Sequence, residues 1–135
     1  MLDELLRRVS NHTPHTLETD GRFPEAAVLV PITRSDEPEL ILTLRASGLS
    51  THGGEVAFPG GRRDPEDPDL IFTALREAEE EIGLPPGLVE VIGPLSPLIS
   101  LHGIRVTPYV GVVPDYVEYL ANDAEIAAVF SVPLD

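Results

Sequence analysis

The chain has 135 residues, which suits one domain over residues 1–135 that buries roughly two-thirds of its unfolded surface. It has no cysteine, which excludes disulfides and thiolate metal sites, and no secretory h-region or apolar run of about 18 residues, which argues against export or membrane insertion and predicts a cytoplasmic location. Nine basic and 23 acidic residues give a net charge of −14, which repels a nucleic-acid backbone but still allows a small anionic substrate bound through cations.

The first part of the chain predicts a helix followed by a β-hairpin. Apolar residues recur at helical spacing in residues 2–10, which predicts a short amphipathic helix packed as a lid on the core edge. Residues 11–24 are rich in proline, glycine and polar side chains and predict a loop whose histidines are exposed. Two runs of strand-forming residues, 26–32 and 40–44, flank a turn and predict a hairpin that ends at Arg45.

A short strand, a glycine turn and a helix come next. Residues 56–58 predict a strand that leads into Gly60 and Gly61. We expect these glycines to adopt backbone angles that other residues avoid and to let a ligand approach the main chain. Asp67 is expected to cap a helix over residues 69–82, with a proline in its first turn.

The remainder of the chain predicts a β-rich structure. Further strands are expected at 89–92, 97–99, 106–113 and 126–130. Pro108 favours an edge position or a bulge in the third of them, because proline cannot donate a ladder hydrogen bond. One central helix among many strands predicts a mixed α/β fold.

The central helix carries a cluster of carboxylates. Glu77, Glu80 and Glu81 recur at i, i+3 and i+4, so they share one face. The apolar stripe expected to face the core consists of Ile71, Leu75, Ala78 and Ile82. Like charges at this spacing destabilise an isolated helix by about 0.2–0.5 kcal/mol per pair, a cost that a hard cation such as Mg²⁺ would remove. A bare acidic run is also typical of a solvated surface, but the glycine turn before it and Gly83 after it favour a metal site.

These features resemble the Nudix box, whose second half reads R-E-U-x-E-E-x-G-U with U apolar. The residues that match in register are Arg76, Glu77, Ala78, Glu80, Glu81, Gly83 and Leu84. Fourteen residues separate Gly61 from Arg76, one more than in the general pattern, so Asp67 or Glu66 must replace the missing glutamate. The coenzyme A pyrophosphatase branch of the family tolerates this longer spacing.

That branch also carries the upstream signature L-L-T-x-R-S-x-x-L-R-x-x-x-G-x-x-x-F-P-G-G. Residues 41–61 are similar, with Ile41, Ala46 and Ser50 in place of leucine, serine and arginine. The resemblance implies hydrolysis of the diphosphate of coenzyme A or acyl-CoA to 4'-phosphopantetheine and adenosine 3',5'-bisphosphate, with Mg²⁺ or Mn²⁺ and without a covalent intermediate. The box specifies diphosphate cleavage but not the flanking groups, so ADP-ribose or another dinucleotide is an alternative substrate, and a catalytically silent Nudix-like binding module is a second alternative.

The resemblance implies a role for each motif residue. Glu77 and Glu81 are the expected principal metal ligands, and Glu80 is a third ligand and catalytic candidate. Glu125 is a candidate general base from a loop near the last strands, with an ordinary loop glutamate or His52 as alternatives. The expected substrate-binding residues are Arg45, Gly60, Gly61 and Arg62, and the expected structural residues are Arg76, Asp67 and Gly83.

The resemblance also implies an α/β/α sandwich around a mixed sheet. Family members usually place a second long helix after the last strands, yet the sequence stops at Asp135. We therefore expect either a truncated chain whose C-terminal helix is missing or a homodimer whose second subunit covers that sheet face. An uncovered apolar face would be a liability for a soluble monomer.

Overall fold

The computed structural model describes residues 2–14, 23–47 and 54–134. Its elements in chain order are α1 (Leu2–Asn11), β1 (Glu25–Arg34), β2 (Glu39–Arg45), β3 (Val56–Ala57), β4 (Gly60–Arg62), α2 (Leu70–Ile82), a 3₁₀ turn (Pro86–Leu88), β5 (Glu90–Pro94), β6 (Leu98–Ile99), β7 (Arg105–Pro114) and β8 (Ile126–Pro133). Neither α-helix in these ranges is long and apolar enough to cross a membrane.

The strands form one mixed sheet of eight strands. Its main path is β3-β2-β1-β7-β5, while β4 pairs with β1, β6 with β7 and β8 with β2. β1 and β2 are antiparallel, which confirms the predicted hairpin, whereas β1 and β7 are parallel along their whole length.

Pro108 does not lie at a sheet edge, which is one of the two positions expected for it. Strand β7 has β1 on one side and β5 and β6 on the other, so Pro108 lies in an internal strand. It lies where the neighbouring strand changes from β6 to β5, and its carbonyl accepts a hydrogen bond of 2.8 Å from the Leu95 N–H. The sheet tolerates the missing donor because the β6–β5 neighbour is interrupted at this point.

Helix α2 covers one face of the sheet. The buried residues of this core cluster are Ala27, Leu29, Ile41, Ala74, Ala78, Ile82, Leu84 and Val113. The predicted helical stripe is correct for Ala78 and Ile82, but Ile71 is exposed. The helix is rotated so that Thr73 and Glu81 are buried in addition to the apolar residues.

Helix α1 packs on the opposite face. The buried residues there are Leu2, Leu6, Val9, Ile32, Val110 and Val112. Side chains alternate between the faces of a strand, so Ile32 and Leu29 of β1 lie on opposite sides. The predicted α/β/α sandwich is therefore confirmed. The helical layer opposite α2 includes the N-terminal helix α1, which covers part of the sheet face that was expected to be uncovered. Helix α1 contacts chiefly β5, the last strand of the main path, so the expected position at the core edge agrees with the structure.

Candidate active site

Helix α2 begins and ends with clear capping interactions. Asp69 is the N-cap, since its Oδ1 accepts a hydrogen bond of 2.8 Å from the Phe72 N–H. Gly83 adopts the left-handed conformation at φ 69° and donates its N–H to the Glu79 carbonyl. The expectation that Asp67 caps the helix is wrong, because the Asp67 carboxylate is engaged elsewhere.

Asp67 forms a buried ion pair with Arg76. The guanidinium Nε donates to Asp67 Oδ1 at 3.1 Å and Nη2 donates to Oδ2 at 3.0 Å, a bidentate geometry. Thr73 Oγ1 and the Asp64 N–H also donate to Oδ2, at 2.8 and 2.9 Å. The hydrogen bonds from Arg76 are the main reason that the pKa of Asp67 lies well below its usual range. Four donors therefore keep this carboxylate charged against the opposing effect of burial, and it serves as an anchor.

The same guanidinium orients two acidic residues of α2. Arg76 Nη1 donates to Glu77 at 3.0 Å and to Glu80 at 3.3 Å. Arg76 Nη2 also donates to the Arg62 carbonyl at 3.3 Å, which joins the helix to β4. Glu80 is exposed, whereas Glu77 is largely buried. One arginine thus links the loop, the glycine strand and the carboxylates.

Gly60 and Gly61 lie in strand β4, directly against the carboxylates of Glu81 and Glu77. The Gly60 N–H donates to Glu81 Oε1 at 3.2 Å. A Cβ on Gly61 would lie 2.5 Å from the Glu77 carboxyl carbon, and one on Gly60 would lie 2.4 Å from the Ala27 carbonyl oxygen. Neither glycine is among the positive-φ residues of the described ranges, so the expectation of unusual backbone angles is wrong. Close packing requires these glycines.

Glu81 is buried, although its spacing places it outside the apolar stripe that was expected to face the core. It is 2% exposed, and burial raises its pKa to about 7, with the charges of Glu77 and Glu125 adding to this shift. Burial is also the main cause that raises the pKa of Glu77, against the effect of Arg76. Two carboxylates that resist ionisation lie side by side next to the glycine strand.

Glu125 reaches this cluster through backbone contacts that the sequence did not indicate. The Asn122 N–H donates to the Glu81 carbonyl at 2.8 Å, and the Asn122 carbonyl accepts from the Glu125 N–H at 2.9 Å. The Glu125 carbonyl accepts from the Ala46 N–H at 2.8 Å. The turn at Asn122 thus ties the end of α2 to Glu125, whose exposed side chain is close enough to affect the pKa of both buried glutamates.

The carboxylates suit a hard divalent cation in their chemistry. They offer only oxygen ligands, and a cation would offset the burial and the neighbouring negative charges that raise the pKa of Glu77 and Glu81. Within residues 2–14, 23–47 and 54–134, however, no three acidic or histidine side chains are arranged to hold a metal ion together. Arg76 Nη1 donates to both Glu77 and Glu80. The three-ligand set of Glu77, Glu80 and Glu81 stays a prediction.

The candidate substrate residues line a neighbouring cavity. Arg45, Gly60, Gly61 and Arg62 all border a space of about 700 Å³. Arg45 Nε is buried and has no hydrogen-bond partner in the part of the chain that the structure describes. Arg63, the adjacent cation, instead pairs with Glu25 at 3.3 Å and donates to the Asp67 carbonyl. His52 and Ser50 lie outside the described residues.

Comparison with known proteins identifies sequence and fold relatives. The NUDIX domain model matches residues 23–134. The chain is 47% identical over 133 residues to a Nudix hydrolase named NudL from Yersinia enterocolitica, covering 98% of this chain and 68% of that protein. NudL of Yersinia pestis is 50% identical over 126 residues, covering 93% of this chain and 62% of that protein. The chain therefore spans about two-thirds of the length of these relatives.

Solved structures share the fold at lower sequence identity. A Nudix hydrolase from M. smegmatis, RenU, superposes with a TM-score of 0.68 at 24% identity, covering 82% of this chain and 70% of that one. The NUDIX domain of Shewanella oneidensis NrtR, in a complex with ADP ribose, superposes with a TM-score of 0.66 at 20% identity, covering 95% of this chain and 82% of that one. These likenesses support the sandwich architecture.

Proposed function

Because the chain belongs to the Nudix hydrolases, pyrophosphohydrolases that act on nucleoside diphosphate derivatives, we propose that it hydrolyses the diphosphate of coenzyme A or acyl-CoA. The products are 4'-phosphopantetheine, or its acyl form, and adenosine 3',5'-bisphosphate. The supporting observation is that Arg45 and the glycine pair, both parts of the upstream signature, line one cavity that adjoins the acidic cluster.

The reaction adds a water oxygen to one phosphorus and breaks the bridging P–O bond to the other phosphate. The leaving phosphate takes the electron pair of that bond, and the water proton passes to a base. Arg45 has a donor available to hold a phosphate oxygen, which limits the approach of the diphosphate to one orientation. Mg²⁺ or Mn²⁺ held by Glu77, Glu81 and Glu80 would supply the neutralising charge on the non-bridging oxygens.

Two carboxylates are candidates to accept the water proton. Glu125 is exposed next to the buried pair, and hydrogen bonds to Asn122 and Ala46 hold its backbone in place. Glu80 is exposed but pairs with Arg76 at 3.3 Å, which lowers its availability as a base. We therefore assign the base to Glu125 and assign Glu80 to the electrostatic support of the site.

The test is a substrate panel analysed by mass. The protein is incubated with coenzyme A, acetyl-CoA, ADP-ribose and dinucleoside polyphosphates in the presence of Mn²⁺. Release of 4'-phosphopantetheine from coenzyme A at the highest kcat/KM supports the proposal, and preference for ADP-ribose or a dinucleotide refutes it. Binding of nucleotides without turnover would identify a binding module instead. Glu77→Gln is the inactive variant, and Glu79→Gln, on the exposed side of α2, is its matched control.

A further inference from the structure

The cavity beside the glycine strand extends across the sheet face that α1 leaves open. Its floor consists of aliphatic side chains, and its far wall consists of the turn between β6 and β7. The floor residues are Ala26, Val28, Ile104 and Val106, and the far-wall residues include Ser100 and His102. Ala26 and Val28 lie on the same face of β1 as Ile32, so α1 and the cavity occupy opposite ends of one face.

The cavity reaches from the glycine strand to the far wall. Gly61 pairs with Ala27 of β1, and Ala26 of β1 pairs with Val106 of β7, so the floor crosses two strand spacings from β4 to β7. Neighbouring strands are about 4.8 Å apart, so this distance is about 10 Å. At the near end, Gly60 and Gly61 have no side chains, so only their backbone separates the cavity from Glu77 and Glu81.

The far wall is preformed. Ser100 and Ile104 exchange two hydrogen bonds, from the Ser100 N–H to the Ile104 carbonyl at 2.8 Å and from the Ile104 N–H to Ser100 Oγ at 3.1 Å. Gly103 has φ 75°, a left-handed conformation that suits glycine, and closes the turn against the ring of Phe23. A wall that is rigid before binding costs little ordering entropy when a ligand contacts it.

On these grounds we propose that the cavity is the subsite for the uncharged arm of the substrate, and that the turn at residues 100–104 limits which arms fit. This inference rests on the proposed function. The aliphatic floor suits a flexible chain of methyl and methylene groups.

The experiment narrows the floor and compares two substrates. Val106→Phe adds bulk in a half-buried floor position, and Leu101→Ser is the matched control, because Leu101 lies in the same turn but is fully exposed and does not line the cavity. The substrates are coenzyme A and the methyl ester of adenosine 3'-phosphate 5'-diphosphate, which keeps the diphosphate but lacks the arm. Melting temperature and circular dichroism establish that each variant folds, and Ile104→Phe replaces Val106→Phe if that variant does not.

We expect the floor variant to lower kcat/KM for coenzyme A by about ten- to a hundredfold, chiefly through KM, and to change kcat/KM for the methyl ester by less than twofold. Leu101→Ser should leave both values unchanged. Equal losses on the two substrates, or no loss on coenzyme A, would overturn the subsite assignment while leaving the hydrolase activity intact. Failure of the wild-type protein to cleave coenzyme A, with turnover of ADP-ribose, would instead refute the proposed function.

Discussion

The two adjacent glycines of β4 should respond to alanine in opposite ways. In Gly61→Ala the new Cβ would lie 2.5 Å from the carboxyl carbon of Glu77, where ordinary contacts begin at 3.4 Å. The carboxylate must therefore retreat by about 1 Å, which a flexible side chain can do without disturbing the strand. A displacement of this size at a reacting centre can cost about a hundredfold in rate.

In Gly60→Ala the obstacles are backbone atoms. The new Cβ would lie 2.4 Å from the Ala27 carbonyl oxygen and 2.6 Å from the Val28 Cα, so β4 must separate from β1. Overpacking of this kind costs about 1–3 kcal/mol or more, which corresponds to a melting temperature lower by about 3–10 °C for a domain of this size.

The assay measures melting temperature without metal, Mn²⁺ affinity by calorimetry and kcat/KM for each variant. Gly61→Ala should melt within about 2 °C of the wild type but bind Mn²⁺ more weakly and lose about a hundredfold in kcat/KM. Gly60→Ala should show the large change in melting temperature. Wild-type activity and Mn²⁺ affinity in Gly61→Ala would refute the role given to the position of Glu77, and a wild-type melting temperature in Gly60→Ala would refute the close approach of β4 and β1.

Three further predictions concern α2 and α1. Because burial raises the pKa of Glu81 from 4.5 to about 7, the folded protein keeps a proton that the unfolded chain has lost, and stability falls as pH rises from about 4.5 to 7. Glu81→Gln should therefore raise the melting temperature of the metal-free protein more at pH 8 than at pH 5, while lowering kcat by orders of magnitude; Glu79→Gln should change neither. Arg76→Lys cannot reproduce the bidentate contact with Asp67, so it should lower both melting temperature and kcat, and a wild-type melting temperature would contradict the anchor. Leu6→Ala should cost about 2 kcal/mol in urea unfolding, near the low end for a core leucine, since α1 packs at the surface of the sheet; no loss would mean that α1 is not docked.

Features that depend on local periodicity could be predicted from the sequence. The hairpin of β1 and β2, the span of α2 and its end at Gly83 follow from spacing and from glycine conformation within a few residues. The capping residue was misplaced by two positions, because Asp67 and Asp69 are both competent caps. Arg76, nine residues after Asp67 in the chain, binds the Asp67 carboxylate and leaves Asp69 to cap the helix.

Features that depend on contacts between distant segments could not be predicted. The glycines of β4 were expected to be required for unusual backbone angles. They are required instead because a side chain there would collide with β1 or with Glu77. The burial of Glu81 likewise depends on β4, which no helical periodicity reveals. The amphipathic stripe of α1 predicts that the helix packs on an apolar surface but not that this surface is the second face of the sheet. The turn at Asn122 contacts α2 through backbone hydrogen bonds, which side-chain patterns do not reveal.

The ion pair between Arg76 and Asp67 bears on how many residues can separate the glycines of β4 from the carboxylates of α2. A sequence motif counts residues along the chain, but the protein fixes the distance between β4 and α2 by binding one guanidinium to the Arg62 carbonyl and to Asp67. The loop between them is joined at both ends, so an added residue can bulge outward while strand and helix keep their places. Insertions in this loop should therefore be tolerated wherever an acidic residue can still reach Arg76. A search for related domains should accordingly let the number of residues between Gly61 and Arg76 vary, while requiring the arginine and its acidic partner.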